Sequence, residues 1–140
     1  MPKGLALISW DDIIGTELSY IYPPSLELKS LEIICIYTSQ TFGDIKNPRF
    51  ATFSTNNFKV ATYFGGISSK SMLVLLLNDN EIPEVFKQAL KKAYNEILNN
   101  KKDLSEIIPQ ILHIFELESE KCKNFFEIVR NYMIKNIINL

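Results

Sequence analysis

The chain has 140 residues, of which 46% are hydrophobic and 22% charged, and its formal net charge is -1. This composition is close to the globular average and excludes a disordered chain or a small disulfide scaffold. Because 15 basic and 16 acidic residues nearly balance, no large field favours nucleic acid or an anionic bilayer. The length predicts one domain over residues 1–140.

The cysteines and the first residues bear on the cellular compartment. Cys35 and Cys122 lie far apart in sequence, and we expect buried free thiols instead of a disulfide. The apolar run that ends at Trp10 is too short for a signal peptide, and no stretch approaches the ~20 apolar residues of a membrane span. We therefore expect a cytoplasmic protein without a transmembrane segment, whose partners could place it at the periphery of membranes.

The first two predicted strands form a hairpin. Leu5–Trp10 is an apolar run that stops at two aspartates, and Gly15 follows within a turn's length. From Thr16 to Tyr22 apolar and polar residues alternate, as in a half-buried edge strand. The alternation predicts two opposite faces: Leu18, Tyr20 and Tyr22 on one, Glu17 and Ser19 on the other.

A helix is predicted from Ser25, as its N-cap, to Phe42, with Gly43 after its end. Its apolar residues cover more than one face, so we expect it to be covered on two sides. One side would be the sheet, and the other could be a partner.

Three β-rich runs come next, Arg49–Ser54, Phe58–Phe64 and Met72–Leu77, and they read as a meander of two hairpins. The last run is apolar without any alternation. Such a strand is typical of the centre of a sheet that has helices on both faces.

The rest of the chain reads as helical. Pro83 opens a helix whose apolar face runs from Val85 to Leu98. Asp103 and Glu106 resemble a capping box for the next helix, although Pro109 could kink it or move its start to Ser105. Residues 119–140 are predicted either as a separate last helix or as the continuation of the one before.

Several residues have side chains that could carry chemistry. His113 is the single histidine, and its apolar neighbours favour a core or boundary position over a catalytic base. One His with two distant Cys cannot make a zinc site. Gly65-Gly66 leads into a strand and not a helix, so it is not a phosphate-binding loop, and Asp11-Asp12 reads as a solvated turn. The sequence predicts no catalytic residue, no metal ligand and no cofactor.

The order β-β-α-β-β-β-α-α resembles the longin domain over nearly the whole chain, and the opening of strand, Gly15, strand and Tyr22-Pro23 is similar to longin N-terminal hairpins. Longins occur in small adaptor chains, sedlin and exchange factors for small GTPases. The resemblance implies an α+β fold with a five-stranded, mostly antiparallel sheet in the order 2-1-5-4-3. One helix would lie on one face and two or three C-terminal helices on the other. The related roadblock fold starts with a helix, for which there is no room before Leu5.

The resemblance implies a non-catalytic protein-interaction module, a subunit or homodimer that binds or regulates a small GTPase or a trafficking-type complex. Large amphipathic side chains are common in interfaces, so we expect the partner surface around the first hairpin and first helix. The predicted contact residues are Trp10, Glu17, Ser19, Tyr20, Ile21, Tyr22, Ile33 and Tyr37. Two alternatives stay open: a small enzyme whose site is not readable, and a peripheral membrane regulator that uses the helix at 119–140.

Overall fold

The computed structural model describes residues 2–99, 109, 111–121 and 127–131, and the description below is of these. They form one antiparallel sheet in the order β2-β1-β5-β4-β3, with helices on both faces, which confirms the predicted α+β architecture. Residues 109, 111–121 and 127–131 are helical, and the stretch 111–121 is called α3. The other elements are β1 (Gly4–Asp11), β2 (Gly15–Tyr22), α1 (Ser30–Thr41), β3 (Arg49–Ser54), β4 (Lys59–Phe64), β5 (Ser71–Leu77) and α2 (Lys87–Asn99).

Strand β5 is buried along its whole length, as its unbroken apolar run predicts. Its residues alternate between two separate cores. Met72, Val74 and Leu76 face α1, in a core shared with Ile33 and Ile36. The opposite core is formed by Leu73, Leu75 and Leu77 with Phe86, which immediately precedes α2, and with side chains of α2 and α3, among them Leu90, Tyr94, Ile111 and Phe115.

The hairpin of β1 and β2 departs from regular alternation. Leu7 pairs with Tyr20, whereas its neighbour Ile8 pairs with Leu18, so Ser19 is an extra residue in β2. Such a β-bulge shifts the following residues to the opposite face. The prediction that Leu18, Tyr20 and Tyr22 share one face is therefore wrong, because Leu18 packs on the α1 side and both tyrosines on the α2 side.

Helix α1 begins at Ser30 and not near Ser25. Residues 26–29 are not helical, and Leu26 and Leu28 pack against the core under α1. The helix starts where the Glu32 side chain accepts a hydrogen bond from the Lys29 backbone N–H at 3.0 Å. The Glu32 carboxylate thus marks the start of the helix, where Ser25 was expected as the N-cap.

On the opposite face, Pro83–Phe86 forms one 3₁₀ turn that leads into α2. Leu98 was predicted on the apolar face of this helix but is half exposed. The capping box at Asp103, the alternative start at Ser105, and Cys122 lie outside the described residues, as does most of 119–140. Cys35 is a free, half-buried thiol.

Candidate functional site

The outer face of α1 carries large apolar side chains in contact with solvent. Leu31 is 72% exposed and Ile34 is 50% exposed, and their spacing of three residues puts them side by side on the helix. The inner face packs on the sheet through Ile33 and Ile36. Helix α1 is therefore apolar on two sides, of which the described residues cover one; the cover expected on the second side stays a prediction.

The predicted contact residues of the first helix lie on its inner side and flank. Ile33 is 8% exposed and belongs to the core under α1, where a partner cannot touch it. Tyr37 is half-buried, and its ring lies edge-on to Trp10 with centroids 5.1 Å apart. Trp10 also lies against Phe64, at 5.3 Å between centroids. These aromatic rings close the core beside β1.

The predicted residues of β2 are divided between the two faces of the sheet. Ile21 packs with the core under α1, whereas Tyr20 and Tyr22 pack against the core under α2. Glu17 and Ser19 are exposed, and the Ser19 hydroxyl is 2.6 Å from the hydroxyl of Ser9. The predicted residues therefore do not form one surface.

The two edges of the sheet differ in how open they are to strand pairing. Strand β2 has the bulge at Ser19 and the charge of Glu17, and both features discourage pairing with a foreign strand. Strand β3 pairs with β4 in unbroken register and has no charged residue after Arg49. Within the described residues β3 is thus the less protected edge, which the sequence alone did not indicate.

Helix α1 and strand β3 are held together by polar contacts. The Arg49 guanidinium donates to the carbonyl oxygens of Phe42 at 3.1 Å and Ser39 at 3.4 Å, which caps the end of α1. The buried Gln40 side chain donates to the carbonyl oxygen of Arg49 at 3.0 Å. These contacts fix the C-terminal end of α1 against the first residue of β3.

Apolar residues that the sequence analysis did not single out lie in the loops at one end of the sheet. Ile13 is 94% and Ile14 79% exposed in the turn after β1, and Phe42 is 79% exposed after α1. Ile45 and Ile67, in the loops before β3 and β5, are about half exposed. The pattern Asp-Asp-Ile-Ile-Gly was the available signal, because it places two isoleucines between turn residues.

Side chains with catalytic or metal-binding chemistry are dispersed in the described parts of the chain. His113 is not a core residue: its side chain is 69% exposed and Nδ1 is 3.5 Å from the Glu116 carboxylate. Helical geometry explains this, because Leu112 and Phe115 take the inward positions. Among residues 2–99, 111–121 and 127–131, no three His, Cys, Asp or Glu side chains are grouped to hold a metal ion.

A groove of about 190 Å³ lies between α2 and α3. Its base is apolar and includes Val85, Ala89 and Phe115, and Lys92 and Glu118 are among its polar lining residues. None of the groove residues is Ser, Cys or His, so the groove does not pair a hydroxyl or thiol nucleophile with a histidine base.

No protein-family model matches the chain, and a search of curated proteins finds no similar sequence. None of the helices in the described ranges is both long and apolar enough to cross a bilayer.

Proposed function

We propose that this chain is a protein-interaction module, a longin-like subunit that binds a protein partner through the outer face of α1 and the adjoining edge strand β3. The observation that carries the proposal is the exposure of Leu31 and Ile34 side by side on α1. A partner that covers these side chains removes their apolar area from water, which stabilises the complex.

Strand β3 supports the proposal with a second type of contact. Its regular ladder leaves one row of backbone N–H and C=O groups on the outer side, and a partner's strand can extend the sheet there. The Arg49 and Gln40 contacts keep α1 fixed against this edge. The module thus offers a pre-organised surface, which lowers the entropy cost of association.

The class of partner follows from the resemblance to longins. That resemblance implies a small GTPase, a trafficking-type complex or a second longin-like domain, including another copy of this chain. The activity in this proposal is binding itself, and no bond is made or broken.

The test replaces Leu31 and Ile34 together by Glu. Both side chains face solvent, so the melting temperature should stay within about 2 °C of the wild type. The matched control is Leu98→Glu, which also puts a charge at an exposed apolar position but on α2. Light scattering over a range of concentrations measures self-association, and affinity capture followed by titration with the purified candidate measures partner binding.

We expect the wild type to associate, the α1 variant to bind at least tenfold more weakly, and the Leu98→Glu control to bind like the wild type. A wild-type chain that stays monomeric and binds no purified candidate would contradict the proposal. Equal loss of binding in both variants would also contradict it, because the contact would then not be specific to α1.

A further inference from the structure

We infer that the loop end of the molecule inserts into the surface of an uncharged lipid bilayer. The loop end comprises the turn between β1 and β2 with the strand residues that flank it (11–15), the loop between α1 and β3 (42–48) and the loop between β4 and β5 (65–70). It exposes Ile13, Ile14, Phe42, Ile45 and Ile67. This inference is independent of the proposed function, since Leu31 and Ile34 lie toward the opposite, N-terminal end of α1.

The three loops form one connected surface. Lys70 Nζ is 3.1 Å from the Asp12 carboxylate, and the Lys70 carbonyl oxygen accepts from the Trp10 backbone N–H at 3.1 Å. The Ile67 backbone N–H in turn donates to the Lys46 carbonyl oxygen at 3.4 Å. The apolar side chains of the separate loops are therefore presented together at the same end of the sheet.

The carboxylates of the loop end are engaged within the loops. Asp11 Oδ1 accepts from the backbone N–H groups of Ile13 at 2.7 Å and Ile14 at 3.3 Å. Asp44 Oδ1 accepts in the same way from Lys46 at 3.0 Å and Asn47 at 3.3 Å. These bonds fix the backbone of two loops. The apolar side chains therefore already point outward, and binding carries no entropy cost for ordering the loops.

Charge selects the kind of bilayer. Residues 11–15, 42–48 and 65–70 contain three acidic side chains, Asp11, Asp12 and Asp44, and two basic ones, Lys46 and Lys70. The net charge of the loop end is therefore negative by one. Such a surface is not attracted to anionic lipids, which bind surfaces rich in Lys and Arg. A zwitterionic surface accepts the apolar tips without electrostatic cost.

The shape of the loop end favours lipid over a protein partner. The tips protrude, and Ile13 is almost wholly exposed. A protein must supply a preformed hollow for every protruding side chain, whereas acyl chains conform to any shape. Burial of several such side chains gives reversible attachment comparable in kind to that of a single short acyl anchor.

The test is flotation of the purified protein with phosphatidylcholine vesicles. The variant Ile13→Asp/Ile14→Asp removes the most exposed tip, and Leu98→Asp is the matched control, an exposed leucine on α2 that lies outside both the loop end and the α1 surface. Ile13→Trp adds a direct readout, because brominated lipids quench a tryptophan that enters the bilayer. Circular dichroism verifies that each variant is folded.

We expect wild type and Leu98→Asp to float equally, the double variant to bind more than about tenfold more weakly, and binding to be insensitive to salt. In Ile13→Trp, fluorescence of the added tryptophan should be quenched. The inference is overturned if wild type stays unbound, if only anionic vesicles bind in a salt-sensitive way, or if the double variant instead abolishes self-association. Loss of protein binding in the α1 variant would not change vesicle binding. The proposed function and the lipid inference can therefore be refuted independently of each other.

Discussion

Gln40 and Thr62 are joined across the core between α1 and the sheet: Gln40 Nε2 lies 2.7 Å from Thr62 Oγ1. Both side chains are buried, and the Thr62 hydroxyl donates a hydrogen bond to the carbonyl oxygen of Ala51 at 3.0 Å. Gln40 Oε1 has no hydrogen-bond partner among the described residues. A buried polar chain of this kind fixes the position of α1, since apolar packing alone tolerates small shifts of a helix.

A double-mutant cycle measures the strength of this link. Gln40→Leu and Thr62→Val should each lower the free energy of unfolding by about 1–3 kcal/mol, because each leaves a buried partner unsatisfied. The double variant should lose less than the sum of the two, by about 0.5 kcal/mol or more. Urea denaturation followed by circular dichroism gives the three differences. Strict additivity would show that the two side chains do not stabilise each other.

Leu75 is fully buried at the middle of β5, paired with Leu5 on one side and Ala61 on the other. Leu75→Asp should unfold the protein, because a carboxylate there has neither water nor a cation, at a cost of more than about 4 kcal/mol. The control is Thr52→Asp, because Thr52 is exposed on the edge strand β3, and this variant should remain folded. A folded Leu75→Asp protein with an unchanged circular dichroism spectrum would refute the central position of β5.

His113→Ala should leave the free energy of unfolding within about 0.5 kcal/mol of the wild type, because the imidazole is exposed and its contact with Glu116 lies at the surface. Thermal unfolding provides the measurement. The same variant tests the enzyme alternative. A nucleotide hydrolysis that follows the purified protein and disappears on this substitution would establish catalysis and refute a pure binding module.

Asp11 makes the hairpin turn sensitive to acid. Hydrogen bonds from the backbone N–H groups of Ile13 and Ile14 hold the pKa of this carboxyl below its usual value, with a smaller effect of Lys70. The unfolded chain therefore binds the proton more tightly than the folded one. The stabilisation is complete above about pH 3.9 and is lost as the pH falls through the lower pKa of the folded state.

Asp11→Ala should accordingly melt at a lower temperature than the wild type at pH 7, with a difference that shrinks toward pH 2. A carboxyl titration by NMR should show Asp11 ionising below the usual range for aspartate. If the difference in melting temperature stays constant with pH, the charge of Asp11 does not stabilise the turn.

The sheet order was expected from the resemblance to longins, and the contrasts in hydrophobicity along the chain agreed with it. The unbroken run Met72–Leu77 marked the centre, and the alternating Thr16–Tyr22 marked an edge, as the structure shows. The faces of β2 could not be anticipated. The extra residue Ser19 changes the register, and nothing in the local composition distinguishes a bulge from regular alternation.

The candidate surface was anticipated only in outline, for similar reasons. The excess of apolar residues on α1 was evident, but Ile33 was chosen where Ile34 is exposed, because a helix apolar all round has no periodicity to identify its inner side. The start of α1 was missed because Lys29 is not a customary N-cap residue. His113 was placed inward by its apolar neighbours, although in a helix adjacent residues point in different directions.

The extra residue at Ser19 sets where the first hairpin tolerates changes in length. Insertions between Ile13 and Ile14 extend a turn whose two isoleucine side chains are exposed and which lies outside the paired residues, so they leave the pairing of both strands as it is. Deletion of Ser19 removes the offset, and the residues on one side of it must then exchange faces, which turns either the tyrosines or Leu18 away from their cores. The hairpin is thus permissive to insertion at its tip and intolerant of a single deletion five residues further along the chain.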